Sequence, residues 1–343
     1  MLTTPLIESI LATIPGRTVG LIGDLFLDRY FDIDAALNEP SVETGLTAYQ
    51  VTGVRCYPGA LGTVLNNLAA LGVGRIHPIT VIGDDGEGYE LRRALAKLPA
   101  VIADDIVSSP DRRTPTYSKP MLNEGGVVRE LNRMDIKNRV RTPTALEDEL
   151  LRRIEAAWES FDAVIVLDQV SEAECGVVTT RVRERLAELG ERDTAKFVLA
   201  DSREQFDLFR NVCVKPNVRE CLESLLGKES YDALDVSVAL QRAARIADRS
   251  VFCTLGERGM MLQQPGTTSW QNVPAYPVSG PIDICGAGDS CSAGITCAMT
   301  AGATPEQAAA FGNLVASITV QQIGITGTAT PDQVRARWNE VSQ

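Results

Sequence analysis

Histidine is nearly missing from this chain of 343 residues, and the single copy, His77, has no metal-ligand partner close to it in sequence. None of the 8 cysteines forms a Cys-x-x-Cys pair. A zinc site needs three or four such ligands at set spacings, so none is expected. Most cysteines lie beside apolar neighbours, as in Val212-Cys213-Val214 and Val251-Phe252-Cys253. That pattern reads as small buried thiols in a reducing compartment. No apolar run is long enough to span a membrane, and no basic segment precedes a long apolar core near Met1. Residues 1–16 read instead as a short amphipathic helix. A cytoplasmic protein with no membrane partner is the expectation.

Long basic runs are also lacking. Lys and Arg number 33 against 45 Asp and Glu, for a formal net charge of -12. Such a surface repels nucleic-acid phosphates, so no nucleic-acid partner is expected. The Arg-rich stretch from Arg181 to Arg192 is interleaved with Glu and Leu at helical spacing and reads as a solvated helix face. No Gly-x-x-x-x-Gly-Lys-Ser/Thr occurs, which excludes a Walker P-loop. No Gly-x-Gly-x-x-Gly follows the first strand, which argues against a dinucleotide-dependent oxidoreductase.

What is present is ample material for a core: 44% of residues are hydrophobic and 23% charged. Arg17 to Gly23 reads as a buried strand stopped by a turn, and Arg75 to Ile82 as another. Further strands are expected at 163–167, 196–200, 212–215 and 250–255. Helices are expected at 60–71, 86–98, 144–159 and 231–247, and the last third from Ala287 is helix-rich. Such alternation implies a mostly parallel sheet covered by helices on both faces. Segments 30–33 and 48–51 alternate weakly, as exposed strands do. Segments 116–122 and 127–134 flank Asn123-Glu124-Gly125-Gly126, a hairpin signal. The reading is therefore one α/β domain over residues 1–343, with a small separate sheet from strands within about 29–58 and 112–135.

The sharpest chemical signal is Asp283-Ile284-Cys285-Gly286-Ala287-Gly288-Asp289. Small residues let main-chain amides approach an anion, and a helix starting there adds its dipole. An aspartate in that first turn can take a proton from a hydroxyl. Lys215-Pro216-Asn217-Val218-Arg219-Glu220 follows a strand and opens a helix. Asn217 and Glu220, three apart, suit an outer-shell hold on magnesium, or equally a plain helix cap. Thr254-Leu255-Gly256-Glu257-Arg258-Gly259 ends a strand where nucleotides bind, and taken alone is an ordinary glycine turn. Asp24 and Asp28 follow the first strand and suit sugar hydroxyls, or equally are solvated loop acids. Pro58-Gly59-Ala60-Leu61-Gly62 opens a helix running through Asn66 and Asn67.

In this order and spacing the segments resemble the ribokinase-like (PfkB) carbohydrate kinases, over residues 17 to 330. The resemblance implies a Rossmann-like three-layer α/β/α core with a small β-sheet lid. It implies ATP and Mg²⁺ as cofactors and a small sugar or sugar phosphate as the acceptor. Asp289 would be the base, with Gly286, Ala287 and Gly288 as its anion hole. Lys215, Asn217, Glu220, Thr254, Gly256, Gly259 and Asn313 would serve Mg-ATP, Glu220 reaching the metal through water. Asp24, Asp28, Gly59 and Asn67 would face the sugar. Asp283 and its loop would hold a monovalent cation such as K⁺, partly by main chain. A homodimer joined through the lids is expected.

Within the family, residues 23–30, 113–119 and 131–135 are most similar to the heptose-phosphate kinase branch, which implies Lys119 and Arg133 as cations for the substrate phosphate. Departures from the pattern fall at Ala60, Thr63, Met121 and Cys291, where a glycine, an asparagine, a basic residue and an aromatic or threonine are usual. The alternatives are a fructose, ribose or nucleoside kinase of the same fold, or a sensor that binds without turnover.

Overall fold

The structure is a computed structural model that describes residues 2–227, 233–324 and 326–342. Its core is a nine-stranded sheet. From one edge the strands run Gln271–Val273, Met260–Gln263, Val251–Thr254, Cys213–Val214, Phe197–Ser202, Ala163–Asp168, Thr18–Gly23, Arg75–Gly83 and Ile106–Ser109. All neighbours from Val251–Thr254 onward are parallel, and the two strands at the first edge are antiparallel additions. Thr18–Gly23 and Ala163–Asp168 are buried throughout, as central parallel strands covered on both faces must be. Successive side chains point to opposite faces. Leu21 and Ile165 therefore join one apolar cluster, with the helices Leu61–Leu71, Ala287–Thr300 and Pro305–Thr319. Ile22, Val164 and Val166 join the other, with Thr144–Ala157, Thr180–Arg192 and Ala233–Ala247.

The alternation expected along the chain is observed, with shifts at element ends. Of the helix expected over 231–247, residues 231 and 232 lie outside the described residues. Strands Ile106–Ser109, Met260–Gln263 and Gln271–Val273 have three or four residues each, too short for a periodic signal. Arg181, Arg185 and Arg192 lie along the outside of their helix and pair with Glu147, Asp148, Glu155 and Glu159 of the preceding segment. Arg183 departs from the solvated-face reading: it is buried and donates to the Val178 carbonyl. No helix among the described residues is long and apolar enough to cross a membrane.

A second sheet stands over the carboxyl edge of the core. Its strands run in the order Met134–Ile136, Thr116–Glu124, Leu25–Asp34, Val51–Ala60, with Val127–Glu130 paired to Thr116–Glu124. It begins at Leu25, earlier than the expected 29, because the chain passes from core to lid within one residue. Gly23 makes that passage possible: its φ is +148°, and a Cβ there would sit 2.0 Å from the Leu167 carbonyl oxygen.

Candidate active site

The helix Ala287–Thr300 starts at the carboxyl edge of the core sheet. Gly286 precedes it in the left-handed region at φ +77°, and no side chain caps it. A Cβ on Gly286 would lie 2.5 Å from Thr326 Cγ2, so only glycine fits the turn. The Ala287 amide is spent on the Ile284 carbonyl at 3.1 Å. Among the described residues the amides of Gly286, Gly288 and Asp289 make no such bond, so these three, with Ala287 set aside, are the donors left for an anion. Asp283 closes the turn, its carboxylate accepting the amides of Cys285 at 3.0 Å and Gly324 at 3.1 Å.

Lys215 is 4% exposed and stands where its Nζ would be 3.5 Å from a Cβ on Gly288. Its Nζ lies 2.8 Å from Asp201, the second-last residue of a strand one sheet position away. Burial works against the lysine charge, but Asp201 more than offsets it and holds the ammonium above its ordinary range. Ser292 Oγ donates to Asp201 at 3.1 Å from the second turn of the Ala287–Thr300 helix. Beside this pair, Asp289 is pushed up to about 7 by burial and then by the Asp201 charge, against the pull of Lys215 and Arg203.

Asn217 and Glu220 form a reciprocal helix cap: the Glu220 amide donates to Asn217 at 2.9 Å, and Glu220 accepts the Asn217 amide at 2.8 Å. Burial raises Glu220 to about 6, with Asp201 adding to it. Asn217 bridges to Thr254 on the next strand. Gly256 and Gly259 follow, both at positive φ, and a Cβ on Gly259 would meet the Val273 carbonyl oxygen at 2.2 Å. Asn313 is buried and donates to the carbonyls of Val273 and Pro274, both at 3.1 Å. The whole set expected at a nucleotide thus gathers on one half of the carboxyl edge.

On the other half, Asp28 sits in the lid strand, 3.6 Å from Lys119 Nζ. Burial raises its carboxyl and Lys119 pulls it back. A Cβ on Gly59 would come within 2.9 Å of the Asp28 carboxylate, so this glycine makes room for it. Ala60, next in line, takes φ +51°, a strained value for a side-chain-bearing residue. Arg133 forks onto Asp135 at 2.7 and 2.8 Å and lies over the Tyr117 ring at 4.2 Å.

Two expected sugar contacts are placed elsewhere. Asp24 is 4% exposed, and its oxygens accept the amides of Val177 at 2.7 Å and Gln169 at 3.1 Å. It ties the 169–177 loop to the first strand. Asn67 is fully buried in its helix, donating to the Thr63 carbonyl at 2.9 Å. Both follow from position: Asp24 directly follows a fully buried strand, and Asn67 is two turns inside a helix that is buried on most sides.

Sequence reasoning missed Asp201, Ser292, Asp168 and Asp135. Asp168 is the last and Asp201 the second-last residue of its strand at the carboxyl edge, so the rule that singled out Asp24 would have found them. Asp168 is buried against Ser202 Oγ at 2.8 Å and is pushed up to about 7 by burial and by Asp24. Cys285 departs from the buried-thiol reading: it is exposed, in the turn before Gly286.

Among the described residues no three His, Cys, Asp or Glu side chains converge as a metal cage. That donor set fits a Mg²⁺ that arrives on nucleotide phosphates and keeps its waters, with Glu220 and Asp201 within the same charged cluster. Each Asp283 oxygen accepts one amide, which ties its carboxylate into the turn.

Comparison with known proteins identifies the family and the fold. The chain is 26% identical over 323 residues to the bifunctional protein HldE of Gluconobacter oxydans (strain 621H), covering 92% of this chain and 63% of the relative. It is 29% identical over 334 residues to HldE of Rhodopseudomonas palustris (strain HaA2), covering 96% and 65%. The chain thus spans under two thirds of the length of these relatives. Among solved structures it superposes on Arabidopsis thaliana ribokinase complexed with ribose and ATP, with TM-score 0.66, 17% identity and coverage of 94% and 98%. It also superposes on phosphofructokinase-2 from Escherichia coli in complex with fructose-6-phosphate, with TM-score 0.68, 18% identity and coverage of 95% and 99%. These establish the ribokinase-like α/β fold. The model of the pfkB family carbohydrate kinases matches residues 27–332, and the chain belongs to that family.

Proposed function

We propose that this carbohydrate kinase transfers the γ-phosphoryl group of ATP to a hydroxyl of a sugar or sugar phosphate, with Asp289 as general base. The observation that carries this reading is Asp289 itself. It stands in the first turn of an uncapped helix, raised to about 7, with free amides and Lys215 on one side and the lid carboxylate Asp28 on the other. A base poised near neutrality can take the hydroxyl proton as the oxygen attacks. The amides of Gly286, Gly288 and Asp289, with Lys215, meet the charge that develops on the transferred group. A Mg²⁺ bound with ATP would be held through water beside Glu220 and Asp201 and would supply neutralisation of the phosphate charge. Asn217, Glu220, Thr254, Gly256, Gly259 and Asn313 cradle the nucleotide, and Arg203 adds a cation on that side. Asp28, with Gly59 giving it room, accepts hydroxyl protons of the sugar.

The lid shuts this space from water when acceptor and ATP are both present, which protects ATP from hydrolysis. The similarity of residues 23–30, 113–119 and 131–135 to heptose-phosphate kinases is the reason to try heptose phosphates as acceptors, beside fructose, ribose and nucleosides. The lid leaves Val51, Val54, Tyr57, Val127 and Met134 exposed, which supports a homodimer joined there. Sedimentation at several concentrations tests that point. The Asp283 loop is our candidate for K⁺, tested by turnover in potassium against sodium.

The deciding experiment is ADP release from Mg-ATP across sugars and sugar phosphates, with Asp289→Asn in parallel. Turnover lost in the variant supports both the activity and the base. Turnover kept in the variant refutes the base. Saturable sugar binding without ADP would make the protein a sensor.

A further inference from the structure

The chain passes between core and lid four times, and one buried side chain lies where those passages meet. The passages are Gly23 to Leu25, Ala60 to Leu61, 110–115 and 137–143. Asp24 stands in the first. Its two carboxylate oxygens accept the amides of Val177 at 2.7 Å and Gln169 at 3.1 Å, and its own amide donates to the Leu167 carbonyl at 3.1 Å. Its carbonyl accepts the Leu61 amide at 3.0 Å, which fixes the second passage.

The 169–177 loop carries the tie to the other two. Arg112, in the third passage, donates to the Cys175 carbonyl of that loop and to the Val140 carbonyl of the fourth. Thr142, in the fourth, gives its amide to the Glu174 carbonyl at 2.8 Å and its hydroxyl to the Gly176 carbonyl at 2.7 Å. Gly176 is bare where it meets Asp24: a Cβ there would lie 2.8 Å from Asp24 Oδ1. Buried main-chain amides left without an acceptor are costly, so a carboxylate that serves two of them holds its loop in one place. Asparagine cannot do the same, because one of its two ends is a donor. Other ties from lid to core are different in kind. Arg29 and Arg113 reach Glu87 of the helix Gly86–Leu95 at 3.1 and 3.0 Å, through long side chains that tolerate movement.

The place of this joint gives it leverage on the reaction. Asp28 is four residues on in the lid strand that starts at Leu25, about 13 Å along it. A tilt of about 10° at Asp24 would move Asp28 by about 2 Å. Leu25 pairs with Ala60 and Phe26 with Gly59, so the strand that gives Asp28 its room turns with it. A misplacement of about 1 Å can cost about a hundredfold in rate. We infer, resting on the acceptor side assigned above to Asp28 and Gly59, that Asp24 is a positioning residue: it fixes the lid at the angle that sets Asp28 against Asp289, and touches no substrate itself.

Two measurements on the full chain test this, with the isosteric Asp24→Asn and the milder Thr142→Val. Amide hydrogen exchange needs no acceptor. In Asp24→Asn it should quicken about tenfold or more over 169–177, 58–62 and 137–142, and stay within about twofold over Phe197–Ser202 and Val251–Thr254. Steady-state rates use Mg-ATP with whichever of ribose, fructose, fructose 6-phosphate or a heptose 7-phosphate turns over fastest. KM for that acceptor should rise about tenfold in Asp24→Asn and about two- to threefold in Thr142→Val, with KM for ATP little changed. ADP released without acceptor should grow about threefold or more relative to coupled turnover, because a loose lid admits water. Faster exchange spread evenly over the chain, or equal changes in both KM values, would overturn the proposal and leave Asp24 merely structural. Asp28→Asn in parallel keeps two failures apart. An acceptor KM raised by Asp28→Asn but not by Asp24→Asn refutes the joint; one raised by neither refutes the acceptor side, and the joint with it. No ADP from the unaltered protein on any acceptor would refute the kinase reading and the role in transfer together.

Discussion

Lys215 Nζ and the Asp201 carboxylate stand 2.8 Å apart at the carboxyl edge of the core sheet, on neighbouring strands, directly beneath the helix turn that holds Asp289. The pair does two things for that turn. It brings a charged lysine to a buried place that would otherwise reject it, and it sets the proton affinity of Asp289 between an attracting cation and a repelling anion.

Lys215→Met should therefore act on more than phosphate contacts. It leaves Asp201 facing Asp289 without its cation, so the apparent pKa of Asp289 should rise and the pH–rate profile should move to higher pH. Stability should fall by about 3 kcal/mol, the usual cost of breaking one side of a buried pair. A pH series of kcat/KM and a urea titration check both. An unmoved profile would separate Lys215 from the base.

Asp289 must be ionised to accept a proton, so kcat/KM should climb as pH rises through about 7 and level off above it. Asp289→Asn should lower kcat by ~10²–10⁴-fold while ATP affinity stays within a few-fold. Equilibrium ATP binding beside steady-state rates distinguishes this from misfolding.

Asp168 is a buried acid whose carboxyl is raised from 3.8 to about 7. Its folded form binds a proton more tightly than its unfolded form. The stability tied to that proton is present below about pH 4 and is lost as pH rises toward 7. Asp168→Asn keeps the neutral shape, so it should stabilise the protein at pH 8 by about 1–3 kcal/mol and flatten the stability–pH curve between 4 and 7. Chemical denaturation at pH 5 and pH 8 measures it; greater loss in the variant at pH 8 would mean that the Ser202 and Arg183 contacts of the anion dominate.

Gly59→Ala puts a methyl group 2.9 Å from the Asp28 carboxylate. Asp28 must then leave its present position. The expected result is a rise of about tenfold or more in KM for the acceptor with KM for ATP little changed. Equal changes in both would place the fault in the fold.

The sequence alone carried the α/β alternation, the lid inserted early in the chain, and the glycine turn before Asp289. These rest on local periodicity, on glycines at turns and on strand ends, all of which are written within a few residues of each other. It carried the family as well, through the Gly286-to-Asp289 turn and the Asn217–Glu220 pair. Tertiary structure decided which of several acids act together. Asp24 and Asp28 are four residues apart, yet the chain crosses from core to lid between them: Asp24 is sealed against the 169–177 loop and Asp28 faces Lys119, 91 residues on. Asp201 and Asp289 are far apart in sequence and meet through the sheet and the helix above it. Arg133 reads in the sequence as a cation for phosphate, and only the lid pairing shows Asp135 on its Nε and Nη2. Charge neutralisation depends on distances of a few ångströms between side chains, and a linear sequence does not contain those distances.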